Sequence, residues 1–227
     1  MAGTMWHNDR MINLAEIDLF NFLIDWHGLP DAPPSALPAE CTWLPDPLKE
    51  WYSLSGRWTS PLIRLKRMLT PGQIEQSDEK AIFMEDPTGD WFWAFNTEDK
   101  ITVYDAELHG EWERTAEQLS EFLVHNALNE TIYGGKYWRE CTQVEAGLVA
   151  DTLAPMTAVS FGGWRWPRPG GQIFMSKTLL AEVGPAMNPE SLQKDRPGYS
   201  EVRVTAKEPV NLSYLDRMTS IKWLRSP

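Results

Sequence analysis

The sequence predicts an α+β protein: an antiparallel or mixed β-sheet flanked by helices, with a β-rich C-terminal extension. Three observations predict it. Helix-start signals followed by apolar residues at three- and four-residue spacing occur near residues 13, 46 and 115. Between the second and third lie apolar, aromatic-rich runs separated by turn residues. Residues 133–227 then read as short strand-like segments joined by Gly and Pro.

Each element follows from its residues. Asn13-Leu14-Ala15-Glu16 has a capping pattern ahead of Ile17, Phe20, Leu23 and Ile24, which predicts a helix to about Trp26. The Pro-rich "GLPDAPPSALP" then connects to "DPLKEWYSLSG", a short helix with Asp46 as cap, Pro47 at its first position and Gly56 as its stop. In "RWTSPLIRLKRMLTPG", Arg57, Arg64, Lys66 and Arg67 form a basic run that reads as a solvated loop or short strand.

In "MEDPTGDWFWAF", Asp86-Pro87-Thr88-Gly89 carries the residues of a type I turn between two apolar runs. This predicts strands at about 80–86 and 91–96, and "NTEDK" followed by "ITVYDAEL" adds a third strand to the meander. On such a strand Trp91, Trp93 and Phe95 share one face, which reads as core, with a partner-facing Trp as the alternative. Thr115-Ala116-Glu117-Gln118 reads as a capping box opening a helix through "LSEFLVHNALNETI", with Glu117, Glu121 and Glu130 on its wet side and "YGG" as its end.

Farther on, "MTAVSF", "GQIFMSKTLLAEV", "SEVRVTA" and "TSIKWL" read as strands. The loop "GGWRWPRPGG" reads as a Trp-anchored connector with surface arginines, or else as a stacking platform for a ligand. The expected organisation is an N-terminal helix and connection over 1–36, a core over 37–132, and an extension over 133–227 packed on the same domain. With 42% hydrophobic and 23% charged residues over 227 positions, the chain is globular in composition.

Most catalytic and metal signatures are missing. His7, His27, His109 and His125 form no close ligand pattern, and neither a Gly-x-Ser-x-Gly elbow nor a phosphate-binding Gly-x-x-x-x-Gly-Lys loop occurs. The acids around Gly89 do not alternate as an EF-hand requires, so no metal and no cofactor is expected. Cys41 and Cys141 are far apart in sequence and are expected to be reduced thiols. No apolar run is long enough to span a membrane, and the first residues resemble no secretory leader, so a cytoplasmic protein is expected.

Charge is the feature that a stable fold least requires. Of the net charge of −11, the segment from Glu75 to Thr131 holds 15 Asp and Glu against 3 Lys and Arg. Such a surface repels phosphate backbones and attracts basic partners, which argues against nucleic acid.

The run Leu44-Pro45-Asp46-Pro47-Leu48-Lys49-Glu50-Trp51-Tyr52-Ser53-Leu54-Ser55-Gly56 resembles the signature of the SUKH superfamily, a Leu-Pro before a short helix carrying Leu and an aromatic pair and closed by Gly. The acidic, aromatic strand region and the later "LSEFLVH" follow in a similar order, so the resemblance covers about residues 37–130 and leaves the last hundred residues outside. It implies a sheet flanked by helices, no catalysis and, in bacteria, an immunity protein that neutralises a toxin, often a nuclease; fungal relatives regulate cell-wall synthesis. It carries over no site residues. Charge and exposure instead nominate Glu85, Asp86, Asp90, Glu98, Asp99, Asp105 and Glu107 as the surface that captures a basic protein toxin domain, with Trp91 and Trp93 as anchors. The alternative is a glycan or small-ligand binding module using the Trp-rich hairpin.

Overall fold

Two sheets share one long buried helix. The structure, a computed structural model, describes residues 11–34, 36–75 and 79–226, so His7 lies outside the described residues. A two-residue strand, Ile12–Asn13 (β1), leads into a 3-10 turn at Leu14–Glu16 and then into helix Leu19–His27 (α1). The helix expected from Asn13 therefore begins later. Asn13 caps only the 3-10 turn, Ile17 is extended, and Asp18 receives the Asn21 N–H at 3.0 Å as the true cap of α1.

The second helix, Asp46–Ser55 (α2), has Pro45 at its cap position. Asp46 stands instead in the first turn, paired with Lys49 at 2.6 Å. A short strand at Arg67–Met68 (β2) then joins Lys80–Glu85 (β3), Trp91–Asn96 (β4), Thr102–Glu107 (β5) and Glu113–Gln118 (β6) in an antiparallel sheet ordered as they are numbered. The hairpin at Asp86–Gly89 is present, with the Gly89 N–H on the Asp86 carbonyl and Gly89 at φ +75°. That left-handed backbone is where a glycine is needed.

Residues 115–118 do not open a helix. They complete β6, where Gln118 pairs with Thr102 and the Thr115 hydroxyl donates to the carbonyls of Val103 and Glu117. The third helix, Leu119–Gly134 (α3), uses Gln118 and Glu121 as its capping box. From Phe122 to Ile132 every residue of α3 is buried. A helix enclosed along this length has no wet face there, so Glu130 is buried, and Glu117, on β6, is buried against His125 and Trp164, both contrary to the sequence reading.

The remaining chain forms Tyr137–Glu145 (β7), helix Ala146–Leu153 (α4), Thr157–Ser160 (β8), Gln172–Met175 (β9), Leu179–Asn188 (β10), Ser191–Ala206 (β11), helix Ser213–Asp216 (α5) and Leu224–Arg225 (β12). The second sheet is ordered β1-β8-β9-β10-β11-β7-β12, antiparallel except where β1 runs parallel to β8. The chain is thus an α+β protein with one antiparallel and one mixed sheet.

One core joins the two sheets: Trp51, Phe83, Trp93, Phe95 and Phe122 pack in the same cluster as Trp164, Ile173 and Leu180. Phe122 of α3 stacks on Trp164 at 4.9 Å and meets Phe83 edge-on at 5.7 Å. A second cluster, including Val144, Leu153, Val202, Val204, Leu212 and Leu215, fills the far face of the larger sheet.

Two adjacent tryptophan positions give a check on this packing. Trp93 is 0% exposed, so Trp93→Ala should cost about 3–5 kcal/mol in denaturant unfolding, whereas half-buried Trp91 should cost under about 2 kcal/mol. Equal losses would contradict the enclosure of Trp93.

Candidate functional site

The structure divides the nominated residues into three groups. Trp93, Asp86 and Asp105 are buried and cannot meet a partner, which corrects their assignment to the surface. Trp93 is enclosed because α3 and the 161–171 loop cover its face of the sheet, where it packs against Phe122, Trp164 and Trp166. Asp86 is a turn residue: its carboxylate accepts the Thr88 hydroxyl and the N–H groups of Asp90 and Trp91. Burial pushes that carboxyl up, but these hydrogen bonds together hold it below the usual carboxylate range. Asp105 is 3% exposed and ion-paired with Arg165, and burial raises its carboxyl despite the guanidinium.

Two more residues are half-occupied. Glu85 pairs with Arg67 across the β2–β3 edge, and the Trp91 ring lies under the Arg165 guanidinium at 5.2 Å. Arg165 therefore covers one face of the Trp91 ring.

The other four acids, Asp90, Glu98, Asp99 and Glu107, are exposed, but not as one patch. Asp90 and Glu107 meet at one end of the sheet, where the Leu108 N–H reaches the Asp90 carbonyl at 2.7 Å. Glu98 and Asp99 occupy the β4–β5 turn at the other end, six residues of strand or ~20 Å away. Asp99 is also spent locally, since it accepts from the N–H groups of Ile101 and Thr102 and from the Thr102 hydroxyl. Sequence reasoning passed over Glu111 and Glu113, which the β5–β6 turn brings toward Asp90 and Glu107. The hairpin register was the missing signal.

A second group of charges lies inside the molecule. The Lys66 ammonium donates to Asn129 at 2.6 Å and to Glu130 at 3.3 Å, with both ion-pair side chains fully enclosed. Glu130 also accepts the N–H groups of Arg64, Leu65 and Lys66, and Asn129 donates to Glu182 on β10. Lys66 lies 4.9 Å from the ring centres of both Trp164 and Trp166. The reading of Lys66 as part of a solvated basic run is therefore wrong, because α3 carries two polar groups to meet it.

Next along α3, His125 is 3.9 Å from the Trp164 ring centre and bonds Glu117 at 2.8 Å, and Glu117 also accepts the Trp164 indole N–H at 3.0 Å. Burial holds the His125 imidazolium below its ordinary range, against the pull of Glu117. The "GGWRWPRPGG" loop is accordingly a connector anchored by Trp164 and Trp166, with Arg165 bridging Asp105 and Glu113 at the surface.

Among the described residues, no group of three or more His, Cys, Asp or Glu is placed to hold a metal ion. Nor is any helix of them long and apolar enough to cross a membrane. Cys41 and Cys141 are buried free thiols. No protein-family model matches the chain, and no curated protein or solved structure matches it.

Two measurements test the buried network. Glu130→Ala strips the ionic partner from Lys66 and the acceptor from three backbone N–H groups, so it should cost about 3–5 kcal/mol in denaturant unfolding. A loss under about 1 kcal/mol would show that the carboxylate anchors nothing. Burial makes His125 take up a proton less readily in the fold than in the unfolded chain, which gains one below pH ~6.5, so its contribution to stability is present above that pH and is lost as pH falls. The stability gap between wild type and His125→Gln should therefore shrink between pH ~7 and ~5. A constant gap would mean that His125 titrates normally.

Proposed function

We propose that this chain is a non-catalytic binding protein of the immunity type, which captures a basic protein partner, in the first instance a nuclease toxin domain, through acidic surface. One observation carries the proposal: Asp90, Glu98, Glu107 and Glu111 are exposed at the two ends of one sheet, and none forms an ion pair among the described residues. A nuclease is basic where it holds phosphate, so unneutralised carboxylates steer it and repel its substrate. The resemblance of residues 37–130 to the SUKH superfamily supports the same reading.

The test is association kinetics with a basic protein captured from the native lysate, at low and high salt. Reversing Asp90, Glu98 and Glu107 to Lys should leave the melting temperature nearly unchanged, because all three are exposed. The on-rate should fall about tenfold or more, and its decline with salt should flatten. An unchanged on-rate would reduce the acids to a solvated face and end the proposal.

A further inference from the structure

The two acidic ends of the five-stranded sheet are not equivalent. At the Asp90 end, charge is already partly answered, since Arg165 pairs with both Asp105 and Glu113. The opposite end adjoins a groove. The register places α3 there: Gln118 pairs with Thr102, and the Leu119 N–H bonds the Ile101 carbonyl at 2.8 Å. Lys100 ties the β4–β5 turn to the segment before α2 by donating to the Trp43 carbonyl at 2.9 Å.

The 3-10 turn, the start of α1, α2 and the first turns of α3 together line an open groove of about 520 Å³. Its accessible apolar lining is half-buried Ile17 and Leu19 with Phe20, which is 36% exposed although it belongs to the amphipathic pattern of α1, and buried Trp51 backs them. Every charged side chain lining it is acidic: Glu16, Asp18, Glu50 and Glu121. Asp18 and Glu121 are held as helix caps, but Glu16 and Glu50 are exposed and make no side-chain hydrogen bond or ion pair among the described residues. The Arg57 guanidinium lies 5.2 Å over the outer Phe20 ring.

An apolar floor with a rim of one sign selects one chemistry. Apolar side chains can be desolvated in the floor, and cations beside them find carboxylates, whereas an acidic or nucleic-acid ligand meets repulsion. We propose that this groove docks a basic amphipathic helical segment of the protein partner, its apolar face against Ile17, Leu19 and Phe20 and its Lys or Arg side chains against Glu16 and Glu50. The inference rests on the capture reading and names its docking end. The acids around Asp90 then contribute to the approach of the partner and not to its seat.

The probe is a fluorescent amphipathic peptide of Leu and Lys, about 15 residues long so that it can form a helix on binding, with a Leu and Glu peptide of the same pattern as control. Anisotropy should report binding of the Lys peptide alone. Glu16→Lys with Glu50→Lys should weaken it about tenfold, as should Phe20→Ser, while Asp90→Lys with Glu107→Lys should change it less than about twofold. In the wild-type protein, the Leu19 and Phe20 amides should move on titration and the Asp90 and Glu107 amides should not, which holds whether or not any variant folds. Absent binding, equal binding of the two peptides, or an equal effect of reversals at either end would overturn the groove as a docking site. The captured basic protein separates this failure from the larger one. If only the Asp90 and Glu107 reversal slows its association, capture stands and the groove falls; if neither pair does, capture falls as well.

Discussion

The carboxylate of Glu130 is the point on which the two sheets depend. It stands near the end of a fully buried helix, where a lone charge would cost several kcal/mol, and three successive backbone N–H groups together with the Lys66 ammonium answer it. Those donors come from the segment leading into β2 of the smaller sheet, while Asn129 one residue earlier continues the network to Glu182 of the larger one. The polar contacts are directional where apolar packing is not, so they fix how α3 is rotated between its two neighbours. Its apolar side chains, Phe122, Leu128 and Ile132, are then free to serve one continuous core.

The sequence made the local structure of the smaller sheet legible because the signals there are local. A Pro-Thr-Gly turn after Asp86, alternation on either side of it, and a second polar turn at "NTEDK" are enough to place β3, β4 and β5. The helix starts near 13 and 115 were misplaced for one reason. Asn13 and Thr115 do have side chains that satisfy backbone or carbonyl groups, but in a 3-10 turn and a strand, and nothing within a few residues distinguishes those uses from a helix cap. Strand β7 and helix α4 lay hidden in a segment where polar and apolar residues follow no simple period, and pairing with β11 and β12 decides them.

The site was less legible than the fold. Counting charge located the acidic segment but treated its members alike, although Asp86 satisfies a turn, Asp105 and Glu113 share Arg165, Glu117 and Glu130 are interior, and only some of the rest are free at the surface. The groove was out of reach, since it joins residues from four elements, from Leu14 to Val124, and the acids on its rim lie partly outside the acidic segment. The basic run at 57–67 misled in the opposite direction, because a lysine in a polar-looking loop gives no hint of the glutamate that waits for it on a distant helix.

The outer strands β1, β2 and β12 are two residues long. An unpaired strand margin is a template on which another copy of a chain can add its own backbone, and the hazard grows with the length of margin left open. Among the described residues, three of the four margins are such two-residue strands, which leaves little on which identical copies could polymerise edge to edge. Amide ladders between copies are thereby limited by architecture, independently of the repulsion between like-charged molecules, so salt that screens the acidic surface need not bring on fibrous self-assembly.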